Sequence, residues 1–230
     1  MKKFLALFAA LTLAACSGDD DNNEVKQNKF VSTITTSYDD SPEDGEALTF
    51  LYDDQQHIKS VVASDEIIAS FTYQGDNVVS IAGDDSGEAQ YNFTYTNGVL
   101  SGYSAYEESY PITHNAQANT YTFGDDAVLY VSGRDFGKAV DSDGGTFTEV
   151  TYDTGKKGAL YNVPGNNLFV MTFFSQLYPF MSSQAMTSVT EGDFKYTATN
   201  TYDNDGYVIK SVLTSVGGGV ITLNYTYKAL

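Results

Sequence analysis

One short pattern recurs along the chain and governs what it can fold into. Aromatic residues two apart run into a polar Asp/Asn/Gly turn, and a β-branched run follows. Phe50-Leu51-Tyr52 leads through Asp53-Asp54-Gln55-Gln56 to His57-Ile58-Lys59-Ser60-Val61, and Phe71-Thr72-Tyr73 through Gln74-Gly75-Asp76-Asn77 to Val78-Val79-Ser80-Ile81. A third copy joins Tyr91-Asn92-Phe93-Thr94-Tyr95 to Val99-Leu100-Ser101 across Thr96-Asn97-Gly98. The steps from Tyr52 to Tyr73 and Tyr95 are 21 and 22 residues, the length of two strands and two turns. Looser copies pass through Tyr121, Phe123 and Val128-Leu129-Tyr130, and from Tyr152-Asp153-Thr154-Gly155 to Leu160-Tyr161. Tyr202-Asp203-Asn204-Asp205-Gly206-Tyr207-Val208-Ile209 is the clearest late copy.

Each unit reads as a β-hairpin. Side chains two apart in a strand share a face, so the rings point one way while Thr and Asn point the other. Asn97-Gly98 supplies the positive φ angles of a type I′ turn, and Asp205-Gly206 is expected to do the same. None of the four prolines falls inside the repeated runs. The expected fold is all-β: a long antiparallel meander of hairpins forming a curled sheet or open barrel. One interruption breaks the rhythm. Pro164-Gly165-Asn166-Asn167 precedes Leu168-Phe169-Val170-Met171-Thr172-Phe173-Phe174-Ser175-Gln176-Leu177-Tyr178, and Pro179 follows. Apolar nearly all round and bounded by proline, 168–178 suits a short buried helix filling the concave side of the sheet, with a strand as the alternative. Phe169, Phe173 and Phe174 would then either pack the core or line a groove for a hydrophobic ligand.

The units Tyr202-Asp203-x-x-Gly206-x-Val208 and Tyr95-x-x-Gly98-x-Leu100 resemble the YD repeats of Rhs-type proteins. The arrangement from Phe50 to Lys228 is more specifically similar to a domain of unknown function with a porin-like fold, found in secreted lipoproteins of the Bacteroidota. There, tyrosine-turn-glycine hairpins are interrupted by a less regular segment, matched here by Lys156 through Met186, and closed by a last hairpin. The resemblance implies a fold and carries no catalytic residues.

The start of the chain speaks to location. Lys2 and Lys3 precede twelve apolar or small residues, Phe4 to Ala15, which is signal-peptide length and well short of the roughly 20 residues that span a bilayer. Leu13-Ala14-Ala15-Cys16 resembles the bacterial lipobox, so residues 1–15 are expected to be a signal peptide and Cys16, the chain's one cysteine, to carry diacylglycerol and acyl chains. Residues 16–29 read as an acidic tether and 30–230 as a single β domain. Asp19, Asp20 and Asp21 resemble the acidic export signal of Bacteroidota surface lipoproteins, which implies an outer-membrane protein facing the cell exterior. A spacer facing the periplasm is the alternative.

Charge excludes some partners. The chain carries −18 at neutral pH, and discounting the leader and tether charges leaves the body at −18 as well. Such a field repels nucleic acid and anionic headgroups and disfavours self-association, so no nucleic-acid partner and a monomer are expected. The chemical inventory is thin. His57 and His114 lie far apart and are expected at the surface, so no metal site and no cofactor follow. Asp141-Ser142-Asp143-Gly144-Gly145 begins like a calcium loop, but Tyr152 stands where glutamate would close it.

No nucleophile motif or acid–base constellation is legible, and the chain is read as a non-enzyme. The expectation is a surface binding or accessory module, its ligand a polysaccharide, with Tyr103, Tyr106 and Tyr110 as the candidate ligand-binding residues because they fall outside the repeat register near Pro111. The alternatives are a scaffold lipoprotein holding an outer-membrane protein partner, and a carboxylate-dependent glycoside hydrolase.

Overall fold

A computed structural model describes residues 28–39, 45–83, 90–124, 127–141, 143–178 and 180–230. Cys16 and Asp19 to Asp21 lie outside the described residues. The first strands are β1 (Phe30–Tyr38), β2 (Ala47–Tyr52), β3 (Ile58–Ala63), β4 (Glu66–Gln74), β5 (Asn77–Ala82), β6 (Tyr91–Thr96), β7 (Val99–Ala105) and β8 (Glu108–Asn115). There follow β9 (Thr120–Phe123), β10 (Ala127–Ser132), β11 (Asp135–Asp141), β12 (Thr146–Lys157), α1 (Leu168–Phe174), β13 (Gln184–Glu191), β14 (Phe194–Tyr202), β15 (Val208–Ser215) and β16 (Val220–Lys228). Every strand pairs antiparallel with its sequence neighbours, and β1 pairs with β16 from Phe30↔Lys228 to Tyr38↔Ile221, closing the meander into a barrel. Closure pairs both edge strands, which an open sheet would leave available for aggregation.

Alternation decides what faces where. Phe50 and Tyr52, Phe71 and Tyr73, Phe93 and Tyr95, and Leu223 and Tyr225 point inward and join one core. Thr49, Thr72, Thr94, Lys195, Thr197 and Asn224 occupy the alternate, outward positions. Apart from scattered residues such as Leu51, Ile68, Tyr130 and Ile209, the wall facing out is polar. A bilayer-spanning barrel has the reverse order, apolar outside and polar within.

The inner tyrosines share a second role. Tyr52, Tyr73, Tyr95, Tyr152 and Tyr227 each donate the phenol proton to a carbonyl near the start of the preceding strand: Val31, Ile58, Val78, Phe136 and Val208, at 2.5–2.9 Å. Each bond ties adjacent strands together inside the wall and contributes about 1 kcal/mol net. All five lie at the rim where even-numbered strands end. Because the chain enters there, at Lys29, this is the entry rim, and the opposite end, where odd-numbered strands end, is the far rim.

A ring of sixteen strands is wide enough to leave a channel unless something fills it. The segment between β12 and β13 does so. It leaves the entry rim, and its two legs pair with each other through Gly158 N–H to Ser183 O (2.9 Å) and Leu160 N–H to Ser182 O (2.8 Å). Glycine is required at 158, since a Cβ would lie 2.4 Å from the carbonyl oxygens of both Ser182 and Gln184. The helix α1 within this segment is buried from Leu168 to Thr172. Phe174 meets Tyr91, Phe93, Tyr103 and Phe123, Phe169 meets Tyr121, and Phe173 stacks on Phe136. A helix surrounded by aromatic wall residues is apolar all round for that reason, and its three phenylalanines pack the core.

The helix ends at Phe174, short of the expected 178. Gln176 takes a left-handed φ of 59°, and the amides of Leu177 and Tyr178 both turn back to Thr172 O. Asn167 occupies the N-cap position without a side-chain cap bond. Instead Phe169 N–H donates to Arg134 O at 2.9 Å, satisfying a first-turn amide from the barrel wall. The expected hairpin after Tyr152 is absent, because β12 runs on to Lys157 and delivers the chain to the plug.

Candidate functional site

A concavity on the outer wall lies across β6, β7 and β8. On β6, Tyr91, Phe93 and Tyr95 pack inward, so Asn92 and Thr94 face out. On β7, Gly102 pairs with Thr94 on one side and Pro111 on the other, and Ser104 pairs with Asn92 and Ser109. Together with Ser101 these residues line a groove of about 340 Å³. Its floor is Gly102. A Cβ there would sit 2.8 Å from Thr94 Oγ1 and 3.2 Å from Tyr110 O, so a side chain would both clash and fill the depression. Ser101 is tied down locally, donating to Thr94 O and accepting from Thr96 Oγ1. Among the described residues, the side chains of Asn92, Ser104 and Ser109 have no hydrogen-bond partner within the protein. The groove thus presents an amide and hydroxyls, able to donate and accept, and no charge.

The three tyrosines singled out in the sequence divide. Tyr103 and Tyr110 pair across β7 and β8, and their rings stack at 4.9 Å and 19°. They do so on the core side of the wall, where Tyr103 also meets Phe123 and Phe174, and their backbone contributes to the groove from behind. Tyr110 Oη donates to Glu108 Oε2 at 2.5 Å. Tyr106 stands apart at the tip of the far-rim turn, 81% exposed, with Tyr106 and Glu107 at φ 52° and 69°. The groove's polar residues escaped sequence reasoning. The available signal was a glycine inside a strand, in Ser101-Gly102-Tyr103, which marks close approach of another group.

The histidines correct another expectation. His57 is 1% exposed: it stacks on Tyr73 at 4.4 Å, with Nδ1 3.2 Å from Asp53 Oδ2 and Nε2 3.1 Å from Asp76 Oδ1. The turn folds the ring back under two hairpins instead of into solvent. His114 faces inward from β8 and stacks on Tyr121 at 4.4 Å. Among the described residues no group of three or more His, Cys, Asp or Glu side chains is arranged to hold a metal.

Asp135 is the described carboxyl whose pKa is pushed up, by burial, with donors from Ser183 and Gln184 and the nearby Arg134 opposing. It accepts from Ser183 N–H and Oγ at 2.7 Å and from Gln184 N–H and Nε2 at 3.2 Å, so it holds the returning leg of the plug. Burial also lifts the phenol pKa of Tyr52, Tyr73 and Tyr95.

No family model matches this sequence, and no curated protein matches it. Among solved structures, the crystal structure of a porin-like protein from Bacteroides uniformis ATCC 8492 is similar, at 13% identity and a TM-score of 0.42, over 86% of this chain and 98% of that one. The barrel is defined here by the strand pairings themselves.

Proposed function

We propose that this protein is a lipid-anchored barrel of the outer membrane, displayed on the cell exterior, that binds carbohydrate without acting on it. The observation that carries the reading is the groove over Gly102. An uncharged row of unpartnered amide and hydroxyl groups on the wall matches the alternating donors and acceptors of a sugar ring, and among the described residues no charged side chain lines it. The polar outer wall supports anchorage through Cys16 and not through the strands, since outward Thr, Ser and Asn do not face hydrocarbon.

The test is a glycan array probed with the detergent-solubilised full chain and with Ser104→Tyr and Ser109→Tyr, which fill the groove from its rim. Saturable binding that both substitutions abolish, with circular dichroism unchanged and no new reducing ends, is expected. Binding that survives both and disappears in Tyr106→Ala would move the site to the far-rim turn. New reducing ends would replace the binding reading with a hydrolase.

A second reading has its own observation. Phe194 and Val216, in neighbouring far-rim hairpins, are 70% and 86% exposed, which fits a contact with an outer-membrane protein partner. Co-purification of one membrane protein, lost in Phe194→Ser, would favour that scaffold role.

A further inference from the structure

The entry rim holds a second concavity of opposite character. Between the end of β12, the start of β13 and the plug lies a cleft of about 200 Å³, lined by Arg134, Lys156, Lys157, Tyr161, Ser183 and Gln184 among others. It gathers three of the chain's twelve basic residues, in a chain with 30 acidic ones. An excess of carboxylate should pair such cations wherever they stand, and on this same rim it does so for Lys29, whose ammonium lies 2.8 Å from Asp203 and 2.7 Å from Asp205.

The cleft cations are treated differently. Among the described residues Lys156 and Lys157 form no ion pair. Their ammonium groups lie over rings instead: Lys156 over Tyr202 at 4.9 Å, and Lys157 over Tyr161 at 4.9 Å and Tyr207 at 4.4 Å. A ring face holds a cation in place without cancelling its charge. Arg134 spends both terminal nitrogens on the carbonyls of Leu160, Tyr161, Val163 and Gly165, which are neutral acceptors. Its neighbour Asp135 offsets part of this charge but has both oxygens engaged by Ser183 and Gln184. The cleft therefore carries two pre-positioned point charges without an ion-pair partner among the described residues, beside a fixed guanidinium.

From this geometry we infer that the cleft is an oxyanion site, and that its occupant is the phosphate of an anionic phospholipid headgroup in the membrane to which the chain is tethered. Lysine suits phosphate as a point charge, and the fork of Arg134, which would suit phosphate or carboxylate alike, is already used on carbonyls. Location selects the headgroup. The chain enters at Lys29, whose ammonium lies over the same Tyr207 ring as that of Lys157, at 5.5 Å. The thirteen steps from Cys16 to Lys29 span at most about 45 Å, so a lipid on Cys16 keeps this rim within reach of the bilayer. The inference rests on the reading of Cys16 as the anchor.

The experiment is lysine acylation of the lipidated full chain, read residue by residue by mass spectrometry. The chain is studied in detergent, in detergent with inorganic phosphate, and in vesicles of phosphatidylethanolamine with or without phosphatidylglycerol. Flotation with the vesicles reports anchoring separately. In floating protein, Lys156 and Lys157 should react about fivefold more slowly when phosphatidylglycerol is present, the factor that one lysine contributes near an anionic surface. Lys195, beside the far rim at the start of β14, should not change. Failure to float overturns the anchor reading on which the orientation depends. Flotation with Lys156 and Lys157 as reactive as Lys195 overturns the site, as does equal slowing of all lysines. Protection by inorganic phosphate but not by phosphatidylglycerol overturns the headgroup assignment in favour of a soluble anion.

Discussion

The two rims of this barrel are built from the same hairpins and yet differ in what stands behind them. The entry rim receives the five tyrosine-to-carbonyl bonds, both legs of the plug, and the cations Lys29, Arg134, Lys156, Lys157 and Lys228, interleaved with Asp53, Asp54, Asp76, Asp135, Asp203 and Asp205. The far rim carries Glu46, Asp65, Glu66, Glu107, Glu108, Asp143, Glu191 and Asp193, with exposed Tyr106, Phe194 and Val216. The difference shows how a wide barrel with a polar outer face is held together: its core is anchored from one end, and the other end is left free to vary.

The sharpest break of this comparison sets a plug residue against a far-rim residue of the same type. Phe169→Ala removes a fully buried ring between Tyr121 and the wall and should cost about 3–5 kcal/mol. Phe194→Ala, at the surface, should stay within about 0.5 kcal/mol. Urea midpoints of the two variants check this, and similar values would mean that the plug does not hold the barrel.

Arg134→Lys comes next. One ammonium cannot reach four carbonyls arranged for a fork, so the outgoing leg of the plug should loosen by about 2–3 kcal/mol. Limited proteolysis should then cut between 158 and 183 while the strands stay intact. Cleavage at the far rim instead would contradict the assignment of Arg134 as the clamp. Smaller again is Tyr95→Phe, which keeps the ring and loses only the bond to Val78 O, at about 1 kcal/mol. Tyr106→Phe on the far rim should change nothing measurable.

What was legible in the sequence follows the same division. The hairpins and inward aromatics were legible because alternation and turn chemistry are local. Asn97 and Gly98 do adopt φ 53° and 78°. The plug was legible as a short apolar helix because prolines bracket it. Closure of β1 on β16 was not, since a pairing across nearly the whole chain leaves no local mark. Nor was the role of Arg134, whose partners lie 26 to 31 residues away and are all backbone. The groove was half legible: Tyr103 and Tyr110 are adjacent to it, but alternation turns their rings to the core, and the hydroxyls that line it look in sequence like ordinary strand polarity.

The expected type I′ turn at Asp205-Gly206 points to a last prediction. Only Gly206 has positive φ, 84°, because the loop runs over five residues from Asp203 to Tyr207. Asp203 N–H donates to Tyr207 O, Gly206 N–H to Asp203 O, and Asp203 Oδ1 accepts from the amides of Asp205 and Tyr207. Asp53 to His57 repeats this network with Gln56 in the left-handed position at φ 69°. On the far rim, Ser215 to Gly219 repeats its backbone bonds, with Gly218 at φ 88°. If turns are interchangeable and the rims differ only in what packs behind them, position four should respond alike on both. A Cβ at Gly206 or Gly218 meets nothing within 4 Å, so Gly206→Gln and Gly218→Gln should each lose about 1 kcal/mol through backbone conformation alone. Gln56→Gly should gain about 0.5 kcal/mol, since relief of the left-handed strain exceeds the added chain entropy by a small margin. Equal losses at 206 and 218, read from thermal midpoints, would locate the asymmetry of the molecule in its plug and cations. A loss at 206 well above that at 218 would locate part of it in the turns themselves, where the entry rim leans on Lys29 and Tyr207 in a way the far rim does not.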